Sequence, residues 1–115
     1  MKTVLIALVS LLFIGENKLT GRWESAPAPN GNVTGLVFKK DNTFEGYVNK
    51  KPFVTGKYTL EGDILTFTDN ACDGAQGVYK INYFSGTDSL RFQPVNDTCS
   101  NRRAGMSRLV MGRVK

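Results

Sequence analysis

Histidine is absent from the sequence. That removes the Ser-His and Cys-His nucleophilic pairs, and with them the imidazole ligands that most zinc and copper sites use. Two cysteines, the full complement here, cannot complete a four-ligand site, so neither a metal nor another cofactor is expected. Blocks of like charge are also missing. Lysine and arginine outnumber the acids 15 to 10, for a formal charge of +5, yet the basic residues are scattered rather than gathered on one stripe, which argues against a nucleic-acid partner. Helical periodicity does not run for any convincing length, and tryptophan occurs once, at Trp23. A chain of 115 residues with 41% hydrophobic and 22% charged content builds one globular domain.

The longest apolar run is N-terminal. Lys2 precedes a stretch from Thr3 to Gly15 without a charge, and at 1.5 Å per residue its helix would rise about 20 Å, short of a ~30 Å hydrocarbon core. A stable membrane span is therefore not expected; residues 1–18 read as a signal peptide and leader, residues 19–115 as the domain, and the location as secreted or periplasmic. In an oxidising compartment an even pair of cysteines reads as a disulfide, Cys72 to Cys99, with two free thiols as the alternative. Such a bridge contributes on the order of 3 kcal/mol in the chain-entropy description.

From Leu19 onward, short alternating runs are separated by turn residues about every ten positions, the pattern of an all-β sandwich or barrel. The runs are 19–25, 34–40, 43–49, 53–60, 63–69, 77–84, 89–95 and 105–113. Opposite residues in a hairpin share a face, so turn geometry can be checked against side-chain polarity. A three-residue loop with Asn42 left-handed pairs Phe38 with Phe44. A Gly62-Asp63 turn pairs Leu60 with Leu65 and Tyr58 with Phe67. A four-residue loop from Ser85 to Asp88 sets Tyr83 opposite Leu90 and Ile81 opposite Phe92. Each hairpin thereby turns one apolar face to a common interior, and the tight connections fall at one end with the longer ones, including those carrying both cysteines, at the other. The expected fold is an all-β, eight-stranded, antiparallel, up-and-down barrel, which closes on itself and leaves no free edge.

Within that frame the chain resembles small exported bacterial lipocalin-like domains of the calycin superfamily. The likeness rests on "GRW" at Gly21 to Trp23, on "SRLVMGR" near the C-terminus, and on the ordered set Cys72, Gly77, Tyr79, Asp97, Cys99, Arg102 and Arg103. The resemblance implies an arginine of the last strand packed across Trp23 at the tight-turn end, with Arg113 the first candidate and Arg108 the second. It also implies an interior able to take a small hydrophobic or amphipathic ligand. Avidins begin with a comparable Leu-Thr-Gly-x-Trp strand, but the further tryptophans of their ligand site are absent, which argues against biotin.

The inward set is Trp23, Leu36, Phe38, Phe44, Val48, Tyr58, Leu60, Leu65, Phe67, Tyr79, Ile81, Tyr83, Leu90 and Phe92. Of these, Trp23, Phe38, Phe44, Tyr58, Phe67, Tyr79, Tyr83 and Phe92 are the candidate ligand-binding residues, apolar with hydroxyls to orient a polar group. An eight-stranded barrel is just wide enough to hold one small ligand or to be filled by its own side chains, and the filled alternative suits a protein-binding module such as an inhibitor of a lysozyme or protease. Asp97, beside Cys99 and close to Arg102, fits a bidentate salt bridge that fixes its loop, while Arg102 with Arg103 as an anion site is the other reading. Asp69 and Asp73 in "DNACDG" lack the remaining acids of a calcium loop. Glu24 and Glu45 face outward by register and most aspartates fall in turns, so no converging carboxylate pair is found; a non-enzymatic binding protein, monomeric or weakly dimeric, is expected.

Overall fold

The computed structural model describes residues 17–115, so the signal-peptide reading falls almost wholly outside the described residues. Among the described residues the strands are β1 (Gly21–Ser25), β2 (Thr34–Phe38), β3 (Thr43–Val48), β4 (Lys51–Glu61), β5 (Ile64–Asp69), β6 (Gly77–Phe84), β7 (Ser89–Asp97) and β8 (Val110–Arg113), with a helix, α1 (Ser100–Arg108), between the last two. Each strand pairs antiparallel with the next, and β8 returns to β1 to close the barrel. The fold is the expected eight-stranded up-and-down barrel.

Turn chemistry sets the registers. Asn42 adopts φ 67° and Gly62 φ 60°, which place Phe38 opposite Phe44 and Tyr58 opposite Phe67. Ser85 and Gly86 are left-handed as well, and Ile81 faces Phe92 as Tyr83 faces Leu90. The fourth hairpin differs from the expected break at Lys50 to Pro52. Asn49 and Lys50 both take positive φ, the signature of a type I′ turn, so β4 begins at Lys51. Pro52 lies beside a bulge between Gly46 and Tyr47, where a missing N–H is tolerated.

The C-terminal third holds the largest correction. A single strand over 105–113 is expected from the sequence, but residues 100–108 are helical and only Val110–Arg113 is strand. The segment SNRRAGMSR buries no residue fully, has no acid in its first turn and lacks a side-chain cap. A helix of this length is marginal in isolation and depends on tertiary anchors. Those anchors are the disulfide at Cys99, immediately before the helix, and the ion pairs of Arg102.

The core comprises Leu19, Trp23, Leu36, Phe38, Phe44, Val54, Tyr58, Leu65, Phe67, Tyr79, Ile81, Leu90, Phe92 and Met111, with Leu60 and Tyr83 packed against it. Val48 is only half-buried, because it is the last β3 residue before the Asn49-Lys50 turn at the barrel rim. A chain of aromatic contacts crosses the interior, from Tyr58 to Phe38 (centroids 5.1 Å apart), Phe44 (5.9 Å from Phe38), Phe67 (5.5 Å), Tyr79 (5.7 Å) and Phe92 (6.4 Å). These geometries, tilted and edge-on as well as stacked, are those that aromatic quadrupoles favour.

Candidate functional site

The tight-turn end of the barrel is sealed. Leu19 and Thr20 precede β1 and are held by Asn17, whose Oδ1 accepts hydrogen bonds from both backbone N–H groups at 2.9 and 2.8 Å. Trp23 Nε1 donates to the Leu19 carbonyl at 2.9 Å. The Arg113 guanidinium lies 4.3 Å from the Trp23 ring centroid and donates to the carbonyls of Lys18 (2.6 Å), Thr20 (3.2 Å) and Thr87 (3.3 Å). Gly21 takes φ 128°, and a Cβ there would stand 3.3 Å from Arg113 Nη1, so glycine meets both a backbone and a space requirement. Arg108, the second candidate for this place, is instead exposed in the last turn of α1.

The opposite end carries an ion-pair cluster. Arg102 Nε donates to Asp97 Oδ2 at 2.9 Å and Nη2 to Asp97 Oδ1 at 2.8 Å, a bidentate pair; Nη2 also reaches the Ala75 carbonyl at 2.9 Å, and Nη1 reaches Asp69 Oδ2 at 3.3 Å. Asp97 further accepts from the Tyr79 hydroxyl and from the Cys99 N–H. Burial opposes the Asp97 charge, but the bonds from Arg102, Tyr79 and Cys99 outweigh it and hold its carboxyl below the usual aspartate range. Burial, and after it the adjacent Asp97 carboxylate, push the Tyr79 phenol well above its ordinary value. The guanidinium also rests 4.9 Å from the Phe67 centroid. A Cβ at Gly77 would stand 3.2 Å from both Arg102 Nη2 and Asp97 Oδ2, which leaves little tolerance for a larger residue there. Arg103 is exposed and turned to the Asp97 carbonyl at 3.2 Å, so the two arginines do not converge on open space.

Between this cluster and the aromatic floor lies a cavity of about 390 Å³, open to solvent. Phe38, Phe44, Leu36, Val54, Leu65 and Phe67 form its apolar wall; Asp69, Arg102, Gly105 and Met106 stand around it, with Cys72 and Cys99 among the lining residues. The Cys72–Cys99 disulfide ties the β5–β6 loop to the start of α1, and α1 thereby roofs the cavity. A second hollow of about 330 Å³ between β1, β2 and β3 includes the outward side chains of Arg22, Glu24 and Tyr47.

Of the eight candidate ligand residues, Phe38, Phe44 and Phe67 line the cavity. Trp23 lies under Arg113, Tyr58 spends its hydroxyl on the Lys39 carbonyl at 2.9 Å, Tyr79 on Asp97, and Phe92 packs edge-on against Tyr79. Tyr83 is half-buried, and among the described residues its hydroxyl finds no partner. Those five do not line the cavity. Sequence reasoning missed Val54, although it shares the parity of Tyr58, and Asp69, which the "DNACDG" motif displayed in a calcium context only. Gly105 and Met106 escaped because their helix did. Among the described residues no cluster of three or more potential metal ligands occurs, and no helix is long and apolar enough to cross a membrane. No protein-family model and no curated protein matches the chain.

Proposed function

We propose that this protein is an exported, non-enzymatic, lipocalin-like barrel that binds a small apolar or amphipathic molecule in the cavity beneath α1. One observation carries the reading: an aromatic-walled cavity of about 390 Å³ enters the barrel from its loop end, within the ~300–1,000 Å³ span of small-molecule sites and toward its lower limit. The aromatic floor restricts the ligand's size, since the volume beneath it is filled by ring contacts. The disulfide, persistent where thiols oxidise, supports export.

N-phenyl-1-naphthylamine, a neutral probe that fluoresces in apolar surroundings, tests the site directly. Gly105 lines the cavity, and a Cβ there meets no atom within 4 Å, so Gly105→Phe is the variant chosen to obstruct the cavity. The wild type is expected to bind the probe with 1:1 stoichiometry, Gly105→Phe to lose it, and Val95→Ser, on the exposed outer wall, to keep it. Equal binding by wild type and Gly105→Phe overturns the proposal.

A further inference from the structure

The polar groups around the cavity offer unequal opportunities to a ligand's head. Asp69 lines the cavity, and its side chain is only 4% exposed. Its carboxylate accepts from the Ala71 N–H at 2.9 Å and from Arg102 Nη1 at 3.3 Å. A carboxylate has roughly four lone-pair sites, so about half of its accepting capacity is unused. Arg102, the other ionised group lining the cavity, is almost fully committed. Four hydrogen bonds leave it toward Asp97, Ala75 and Asp69, out of five N–H groups, and its single charge is shared between two carboxylates. Arg103 is exposed and is absent from the cavity wall.

Among the charged groups, a ligand presenting acceptors therefore finds only a spent guanidinium beside two anions, the neutral donors of the lining being Thr34 and Asn101. A ligand presenting donors, above all charged ones, meets a carboxylate with room for them. Taking the cavity reading as its premise, we propose that the ligand is an amphipathic primary amine: its ammonium hydrogen-bonds to Asp69 in the cavity wall, and its apolar body lies against Phe44, Phe67 and Val54. A charge-assisted hydrogen bond contributes about 1.5–3 kcal/mol, which corresponds to a preference of about tenfold or more over an uncharged head on the same body.

Calorimetric titration of the full chain at pH 7 with octylamine, octanol and octanoate decides the matter. Octylamine is expected to bind about tenfold or more tighter than octanol, with octanoate weakest, and Asp69→Asn to bring octylamine down to the octanol value while octanol binding persists. Octanoate or octanol binding as tightly as octylamine overturns the inference, as does an amine preference that survives Asp69→Asn. Should that variant fail to fold, the ranking in the wild type decides alone. Failure of all three octyl compounds while N-phenyl-1-naphthylamine binds refutes the amine but spares the cavity reading; failure of every probe refutes both.

Discussion

Replacing Arg102 by methionine removes the guanidinium from an ion pair that is almost fully buried. The Asp97 side chain is 0% exposed and that of Arg102 9%, so the pair is not a surface ion pair of the sort that contributes 0–1 kcal/mol. Arg102→Met leaves the Asp97 carboxylate with the Tyr79 hydroxyl and the Cys99 N–H, while Arg103 reaches only the Asp97 backbone carbonyl. Breaking a buried pair from one side costs about 3–5 kcal/mol, a large share of the ~5–15 kcal/mol that holds a domain together. At roughly 4–8 °C per kcal/mol for a domain of this size, the melting temperature is expected to fall by at least ~12 °C in calorimetry. The double variant Arg102→Met/Asp97→Asn, which removes the Asp97 charge and leaves that of Asp69 without its cation, is expected to recover part of the loss. The pH response adds a signed check. In the wild type the Asp97 pKa is depressed, so its stabilisation is present above the unfolded-state value near 3.9 and disappears as pH falls through the lower folded value. In Arg102→Met burial is expected to win and raise the Asp97 pKa, so the variant should gain stability on going from pH 7 to 5 where the wild type gains none from this group. A loss below ~1 kcal/mol, or no gain on acidification, refutes the reasoning.

Four further outcomes are expected. Arg113→Ala, which forfeits the contact with Trp23 and three carbonyl bonds, should cost about 2–3 kcal/mol in urea unfolding, and Gly21→Ala, at φ 128°, about 1–3 kcal/mol in the same assay. Replacing both Cys72 and Cys99 by serine should lower stability by about 2–4 kcal/mol and increase amide exchange in α1 more than in β1 or β2, because the bridge anchors the helix start. Tyr83→Phe, which deletes a buried hydroxyl without a partner among the described residues, should be neutral or stabilising by up to ~1 kcal/mol in thermal melts.

The barrel was legible because its information is local. Asn42, Gly62 and the Ser85 to Asp88 loop fix hairpins whose facing residues are adjacent in the chain, and alternation then places Phe38, Phe44, Tyr58 and Phe67 on one side. The helix was not legible, since SNRRAGMSR has no apolar repeat and owes its conformation in part to Cys72 and Asp69, remote contacts that no window of sequence displays; the local Asp97–Arg102 pair was legible, but as the anchor of a loop. The site suffered in consequence. Inward-facing aromatics were identified as a set, but which of them fill the floor and which wall the cavity depends on ring packing in three dimensions; Asp69, Gly105 and Met106 line the cavity only because α1 folds over it.

The central claim is occupancy of the cavity beneath α1, and intermolecular nuclear Overhauser effects measure it most directly. With N-phenyl-1-naphthylamine bound to the full chain, cross-peaks are predicted from the probe to the methyl groups of Val54, Leu65 and Met106, which line the cavity. Cross-peaks confined to Val95, Val110 or Val114, exposed on the outer wall, would contradict the account.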